Sequence, residues 1–185
     1  MAPNCYHLDM RKFSISLVLT SVAAACLFSA CSPKFDWRDF RSLDAPFSVL
    51  FPGKPATYTR SIDLDGVPVS MTMTASEVDG TTFAVGTAQM PDAVKAQAAL
   101  LAMKTALVKN IGATVNSEKA AMAATATSTS SIQIEASGSS NGTPVLLIGR
   151  FIAQDKRIYQ VIVLGRGKHV SRENVDMFID SFKLN

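Results

Sequence analysis

Apolar and polar residues alternate with a period of two along most of this chain, and turn dipeptides cut the alternation into short runs. Phe47-Ser-Val-Leu-Phe51 alternates strictly and predicts a half-buried strand, ended by Pro52-Gly53-Lys54-Pro55. Ahead of it, Asp36 to Ser42 carries Trp37 and Phe40 and predicts a first short strand or turn. In the strand that follows, Tyr58, Ile62 and Leu64 share one face. Asp65-Gly66 closes a hairpin, because a two-residue type I′ loop needs positive φ at both positions. Val67, Val69, Met71, Met73 and Ala75 then alternate with Pro68, Ser70, Thr72, Thr74 and Ser76, so one face points inward and the other is wet. Asp79-Gly80 is a second hairpin turn, and Phe83 and Val85 mark the returning strand.

The period changes after Pro91. Asp92 caps a helix that runs to about Asn110 and closes near Gly112. Leu100, Met103 and Leu107 form its apolar stripe, flanked by Val94, Leu101 and Val108, with Lys95, Lys104 and Lys109 toward the outside. The Ala-, Ser- and Thr-rich stretch from Ala120 starts as loop. From Ser128, Ile132, Ile134 and Ala136 alternate with Gln133 and Glu135 as a strand, turned at Ser140-Asn141-Gly142. Pro144 to Ala153 and Arg157 to Gly165 are near-continuous apolar runs joined by Gln154-Asp155-Lys156, the mark of central strands covered on both faces. Ser171 caps a last helix with Val175, Phe178, Ile179 and Phe182 at helical spacing. Half-wet edge strands around doubly buried central ones call for a helix on each sheet face. The expected class is α+β: an α/β/α sandwich around a mostly antiparallel sheet of about six to seven strands.

The N-terminal segment follows a different pattern. Arg11 and Lys12 precede an apolar run from Phe13 to Phe28, and Ser32-Pro33-Lys34 is a polar break. Between them, Leu27-Phe28-Ser29-Ala30-Cys31 resembles the lipobox of bacterial lipoproteins. Ala30 is small enough for the signal peptidase, and the Cys31 thiol takes a diacylglycerol. Residues 1–30 then form a signal peptide. Residues 31–44 form a lipidated tether with a first turn, and residues 45–185 form the domain. A second acyl chain makes such an anchor stable, at ~0.8 kcal/mol per buried methylene. The rival readings are an ordinary secretory signal or a retained membrane helix. The run is shorter than the about 20 strongly apolar residues that a span needs, and it contains Ser and Thr. Cys26, after Ala23-Ala24-Ala25, is a poorer lipidation candidate. Met10-Arg11-Lys12 is a more usual signal-peptide opening than residues 1–9, so Met10 is the expected initiator. Ser32 after the cysteine leads us to expect outer-membrane sorting, facing the periplasm.

Composition narrows the chemistry. The formal net charge is only +3, too balanced to argue for nucleic acid. Cys5 and Cys26 leave with the signal peptide and Cys31 becomes a thioether, so the mature chain has no thiol for catalysis, disulfides or metal. His169 is then the one remaining histidine, which rules out a multi-histidine metal centre. No cofactor or metal site is expected, and the domain is expected to be a monomer.

Four features carry candidate chemistry. Asp63-Leu-Asp65-Gly66 resembles half of a calcium loop, but Thr74 stands where its bidentate glutamate belongs, and a hairpin turn explains it better. Met71 and Met73 put two thioethers on one strand face, a Cu(I) pair or ordinary core. Arg166, Lys168, His169 and Arg172 gather at a helix start as a candidate anion or partner site, set against a solvated loop. Ser171 beside His169 suggests a hydrolase, although no glycine-flanked elbow surrounds the serine.

Three stretches carry a further resemblance: Phe47-Ser-Val-Leu-Phe-Pro-Gly-Lys-Pro55, Tyr159-Gln-Val-Ile-Val-Leu-Gly165 and Phe178-Ile-Asp-Ser-Phe-Lys-Leu184. Together they resemble PsbP-like domains over residues 45–185. The resemblance rests on structural residues and implies an α/β/α sandwich serving as an accessory or binding module. The functional reading is an envelope-anchored lipoprotein, non-catalytic, held to the membrane by its lipid and open to an envelope protein partner. The alternatives are a small periplasmic serine hydrolase using Ser171 and His169, or a periplasmic metal or small-ligand carrier using Met71 and Met73.

Overall fold

Three Asx-Gly dipeptides set the sheet's hairpins. Asp65-Gly66, Asp79-Gly80 and Asn141-Gly142 all hold positive φ at both positions, as type I′ turns require. Aspartate, asparagine and glycine are the residues that tolerate that region. The computed structural model describes residues 34–122 and 129–185. The proposed signal peptide, Met10 and Cys31 lie outside the described residues, as does Ser128.

The strands are β1 (Arg38–Arg41), β2 (Phe47–Phe51), β3 (Ala56–Leu64), β4 (Val67–Val78) and β5 (Thr81–Gln89), followed by helix α1 (Ala93–Asn110). Then come β6 (Thr114–Ala121), β7 (Ser130–Ser140), β8 (Thr143–Gln154), β9 (Arg157–Arg166), a 3-10 turn (Gly167–His169), helix α2 (Arg172–Ser181) and β10 (Lys183–Leu184). Seven strands form one sheet in the order β3-β4-β5-β9-β8-β7-β6, antiparallel throughout. A second, three-stranded sheet has the order β1-β2-β10.

Both apolar runs of the sequence fall at the centre of the large sheet. In β9, Ile158 and Ile162 point into one core and Tyr159, Val161 and Val163 into the other. Its neighbour β8 divides the same way, with Leu147 and Phe151 on the first face and Ile148 and Ile152 on the second. Helix α1 covers the first face through Ala96, Ala99, Leu100 and Met103. The second face is covered jointly by α2 and the small sheet, through Phe47, Val49, Phe51, Val175, Phe178 and Phe182. The mostly antiparallel sheet with a helix on each face is as expected. The addition is the small sheet, which shares the second layer with α2.

Several local expectations are corrected. In α1, Leu100 and Met103 of the expected stripe are buried together with Ala96 and Ala99, while the flanking Val94 and Leu101 are exposed. Lys104 is not an outward charge: its Nζ lies 3.0 Å from Glu118 Oε2 on β6, with both carboxylate oxygens in reach. Strand β4 is not half wet along its length. Val69 and Met71 are buried on the α1 face, then Thr74 and Ser76 are buried on the other, where the second layer covers them. Tyr58 stays exposed while Ile62 and Leu64 of the same strand join the first core. The compact unit begins at Lys34: β1 pairs with β2, and Phe35 and Trp37 pack on the second core. The stretch read as loop from Ala120 starts within β6, an exposed edge strand with a bulge between Val115 and Ser117.

Phe178 joins the two layers. It is fully buried, and its ring centroid lies 5.4 Å from both Phe51 and Phe83, one from the small sheet and one from the large. Truncation to alanine removes both contacts and leaves a cavity at the junction. We expect Phe178→Ala to cost about 3–5 kcal/mol in urea unfolding, and Val94→Ala, on the exposed face of α1, to change stability by less than about 0.5 kcal/mol. A cost below about 1 kcal/mol at Phe178 contradicts this packing.

Candidate functional site

The strand ladders bring several distant segments to one end of the large sheet. Thr81 faces Gly165 across β5 and β9, so the Asp79-Gly80 turn and Arg166 extend past the same end. Val145 faces Arg166 across β8 and β9, which brings the Asn141-Gly142 turn beside them. Lys34, where the compact unit starts, reaches the same place: its Nζ lies 2.5 Å from Asp79 Oδ2. His169 Nδ1 lies 3.6 Å from that oxygen. The hydrogen bond from Lys34 is the main cause that holds the Asp79 carboxyl below the usual carboxylate range; desolvation opposes it, and the charge of Lys34 and then His169 add to the lowering.

The residues expected to act together, the cations Arg166, Lys168 and Arg172 with His169 among them, are divided. Arg172 donates from Nη2 to Glu135 Oε1 of β7 at 2.6 Å, and this pairing holds the guanidinium pKa above its ordinary value. His169 faces Asp79. Arg166 and Lys168 remain exposed, with no ion-pair partner among the described residues. Both line a hollow of about 350 Å³ with Thr143, Pro144 and Gly167. A second hollow of about 350 Å³ lies on the other side of Arg166, against Gly80, Thr82, Asn141 and Leu164. The chemistry on offer is a pair of free cations beside small, partly apolar recesses, suited to anionic groups rather than to bond making.

The other candidates are placed as follows. Ser171 takes the cap position of α2 through its backbone, whose carbonyl accepts from the Val175 amide at 3.0 Å, and its side chain makes no capping bond. No hydrogen bond joins Ser171 to His169 among the described residues. Met71 is buried in the first core, and the sulfur of Met73 accepts from Gln160 Nε2 at 3.3 Å. A β-carbon on Gly86 would come within 2.6 Å of that sulfur, so the glycine leaves room for it. Asp63 Oδ1 accepts from the Gly66 amide at 2.9 Å, closing the hairpin as a turn residue does. No group of three or more His, Cys, Asp or Glu is placed to hold a metal among the described residues.

Sequence reading missed two features. The Lys34–Asp79 pair joins residues far apart along the chain, and no local pattern announces it. At the opposite end of the sheet, a hollow of about 340 Å³ is lined by Pro46, Gln89, Asp155, Lys156, Arg157 and Tyr159. Burial pushes the Tyr159 hydroxyl pKa up, and the charge of Arg157 opposes it. No family model matches the chain, and no curated protein matches its sequence.

The Asp79 contacts have a pH signature. A carboxyl whose folded pKa is depressed contributes stability that is present above its unfolded pKa, about 3.9, and is lost as pH falls through the folded value. Lys34→Ala therefore raises the Asp79 pKa toward the ordinary value, read by NMR titration of the carboxyl carbon. Its destabilisation appears at neutral pH and vanishes in acid, where Asp79 is protonated in both states. An unchanged Asp79 titration in Lys34→Ala contradicts the pairing.

Proposed function

We propose that this chain is a bacterial envelope lipoprotein, anchored at Cys31, whose compact unit acts as a non-catalytic accessory or binding module for an envelope partner. The observation that carries the reading is the join between two patterns. Leu27-Phe28-Ser29-Ala30-Cys31 follows a cationic and apolar leader, and the compact unit starts three residues after the cysteine, at Lys34. A lipidated cysteine so close to a folded unit serves as an anchor rather than as part of a core. No helix among the described residues is long and apolar enough to cross a membrane. The sheet flanked by a helix on each face supports a PsbP-like α/β/α sandwich as the finer description, with the small sheet as an elaboration of one layer. The expected address is the outer membrane, facing the periplasm.

The exposed cations Arg166 and Lys168 at one end of the sheet, unpaired among the described residues, support binding over catalysis. Ser171 holds the cap position of α2 through its backbone and makes no hydrogen bond to His169 among the described residues, and His169 faces Asp79. The thioethers of Met71 and Met73 are used in packing, which favours the core reading of that pair over a metal carrier.

Metabolic labelling with a fatty acid tests the anchor. The wild-type chain incorporates label and matures through the lipoprotein signal peptidase, and Cys31→Ser abolishes both. Persistent labelling of Cys31→Ser moves the anchor to Cys26, and absence of label from the wild type removes the lipoprotein reading.

A further inference from the structure

The tether fixes which end of the domain the membrane meets. Cys31 is three residues from Lys34, and an extended chain spans at most about 3.6 Å per residue, so the anchor stays within about 11 Å of Lys34. Lys34 in turn is held at the Asp79-Gly80 turn by its 2.5 Å contact with Asp79. Strand β8 alone is 12 residues long, which places the opposite end of the sheet about 40 Å away. A domain on so short a leash presents its Lys34 end to the lipid.

We propose that this end is a docking surface for anionic phospholipid headgroups, with Arg166 and Lys168 as its principal contacts. The inference rests on the lipoprotein reading and adds the surface and the lipid class to it. Arg166 and Lys168 are the exposed cations left without ion-pair partners in the loop after β9, and they share one hollow with Thr143 and Pro144. A phosphate can lie between them while the adjoining apolar rim meets the glycerol region. The charge around them favours the same orientation. Lys34, Lys54, Lys109, Arg166 and Lys168 lie toward this end, against Glu77, Asp79 and Glu173. At the far end, Asp63, Asp65, Asp92 and Asp155 outnumber Lys95, Lys156 and Arg157. An anionic surface attracts the first end and repels the second. Arg172 contributes little, because Glu135 already holds it.

The test uses the mature, lipidated protein reconstituted into vesicles of phosphatidylcholine mixed with phosphatidylglycerol, and into phosphatidylcholine alone. With Cys31 consumed as a thioether, a single new cysteine can be labelled selectively, through Ser140→Cys at the tether end or Lys156→Cys at the far end. Both positions are exposed. Energy transfer to a headgroup acceptor should be strong from residue 140 and weak from residue 156 in the anionic vesicles. In phosphatidylcholine alone, or at high salt where charges are screened beyond a few ångströms, the contrast should shrink as the domain tumbles on its tether. Each cation near an anionic surface contributes about fivefold, so Arg166→Gln with Lys168→Gln should lower the docked-to-free ratio by about 25-fold. Those exposed changes leave unfolding in urea nearly unaltered, which separates lost docking from lost folding. Equal transfer from both positions in anionic vesicles overturns the proposal, as does a contrast untouched by the double substitution. Acyl labelling of the same preparations distinguishes the two levels of failure. A labelled protein without the contrast loses this inference alone, and an unlabelled one loses the lipoprotein reading beneath it.

Discussion

Double burial of β8 and β9 is the constraint on which the rest of the structure depends. A strand with apolar side chains on both faces must be covered twice, and an open antiparallel sheet alone leaves one face wet. Here Ile158, Ile162, Leu147 and Phe151 require one cover, and Tyr159, Val161, Val163, Ile148 and Ile152 require another. The chain supplies them at different points. Helix α1 arrives after β5, and α2 arrives after β9, when both central strands are already paired. Covering the second face takes more than ten residues of helix, and β1, β2 and β10 complete it.

The two covers work differently. Against the first face, Ala96 and Ala99 bring the α1 backbone near the sheet, and dispersion is gained over many small contacts. On the second face, aromatic rings fill a wider gap. Phe47 lies 6.1 Å from Tyr159 and 5.6 Å from Phe182, and Phe182 lies 5.7 Å from Tyr159, a triangle shared by β2, β9 and the end of α2. The two contacts of Tyr159 are edge-to-face and Phe47 stacks on Phe182, and such pairs fix relative orientation as well as burying area. The closing segment Phe178 to Leu184 is thus held on both sides: α2 by these rings and β10 by pairing with β2.

Most of the large sheet was legible because two strong local rules agree there. Alternation marked β4, β5 and β7, and Asp65-Gly66, Asp79-Gly80 and Asn141-Gly142 admit few conformations other than a tight hairpin. Legibility failed where a strand has little to bury. Strand β6, Thr-Val-Asn-Ser-Glu-Lys-Ala-Ala, is exposed along nearly its whole length, so its pairing with β7 leaves no apolar signature. Without β6, Lys104 has no visible partner and reads as a surface charge. The switch of faces in β4 was hidden for the opposite reason, since Thr74 and Ser76 are polar and yet buried. Thr74 meets Thr57 through a hydroxyl pair at 2.9 Å, a cross-strand contact that cannot be read from one strand. At the candidate site, the loop from Arg166 to Arg172 was legible as basic. Its division was not, because Glu135 and Asp79 come from elements that adjoin the loop only after the sheet has formed.

That division gives the basic loop its character. A cluster of three free cations would repel itself and attract any anion. By drawing Arg172 toward Glu135, and setting His169 against Asp79, the fold engages one of the three on its own surface and leaves Arg166 and Lys168 facing outward. Lys34 occupies Asp79 as well, so the carboxylate that might have neutralised the loop is engaged by the start of the compact unit instead. The geometry that ties the tether to the β4–β5 turn is therefore the same geometry that keeps the neighbouring cations available. Separating the two roles would need an acid close to Arg166 or Lys168, and the residues lining their shared hollow, Thr143, Pro144 and Gly167, supply none.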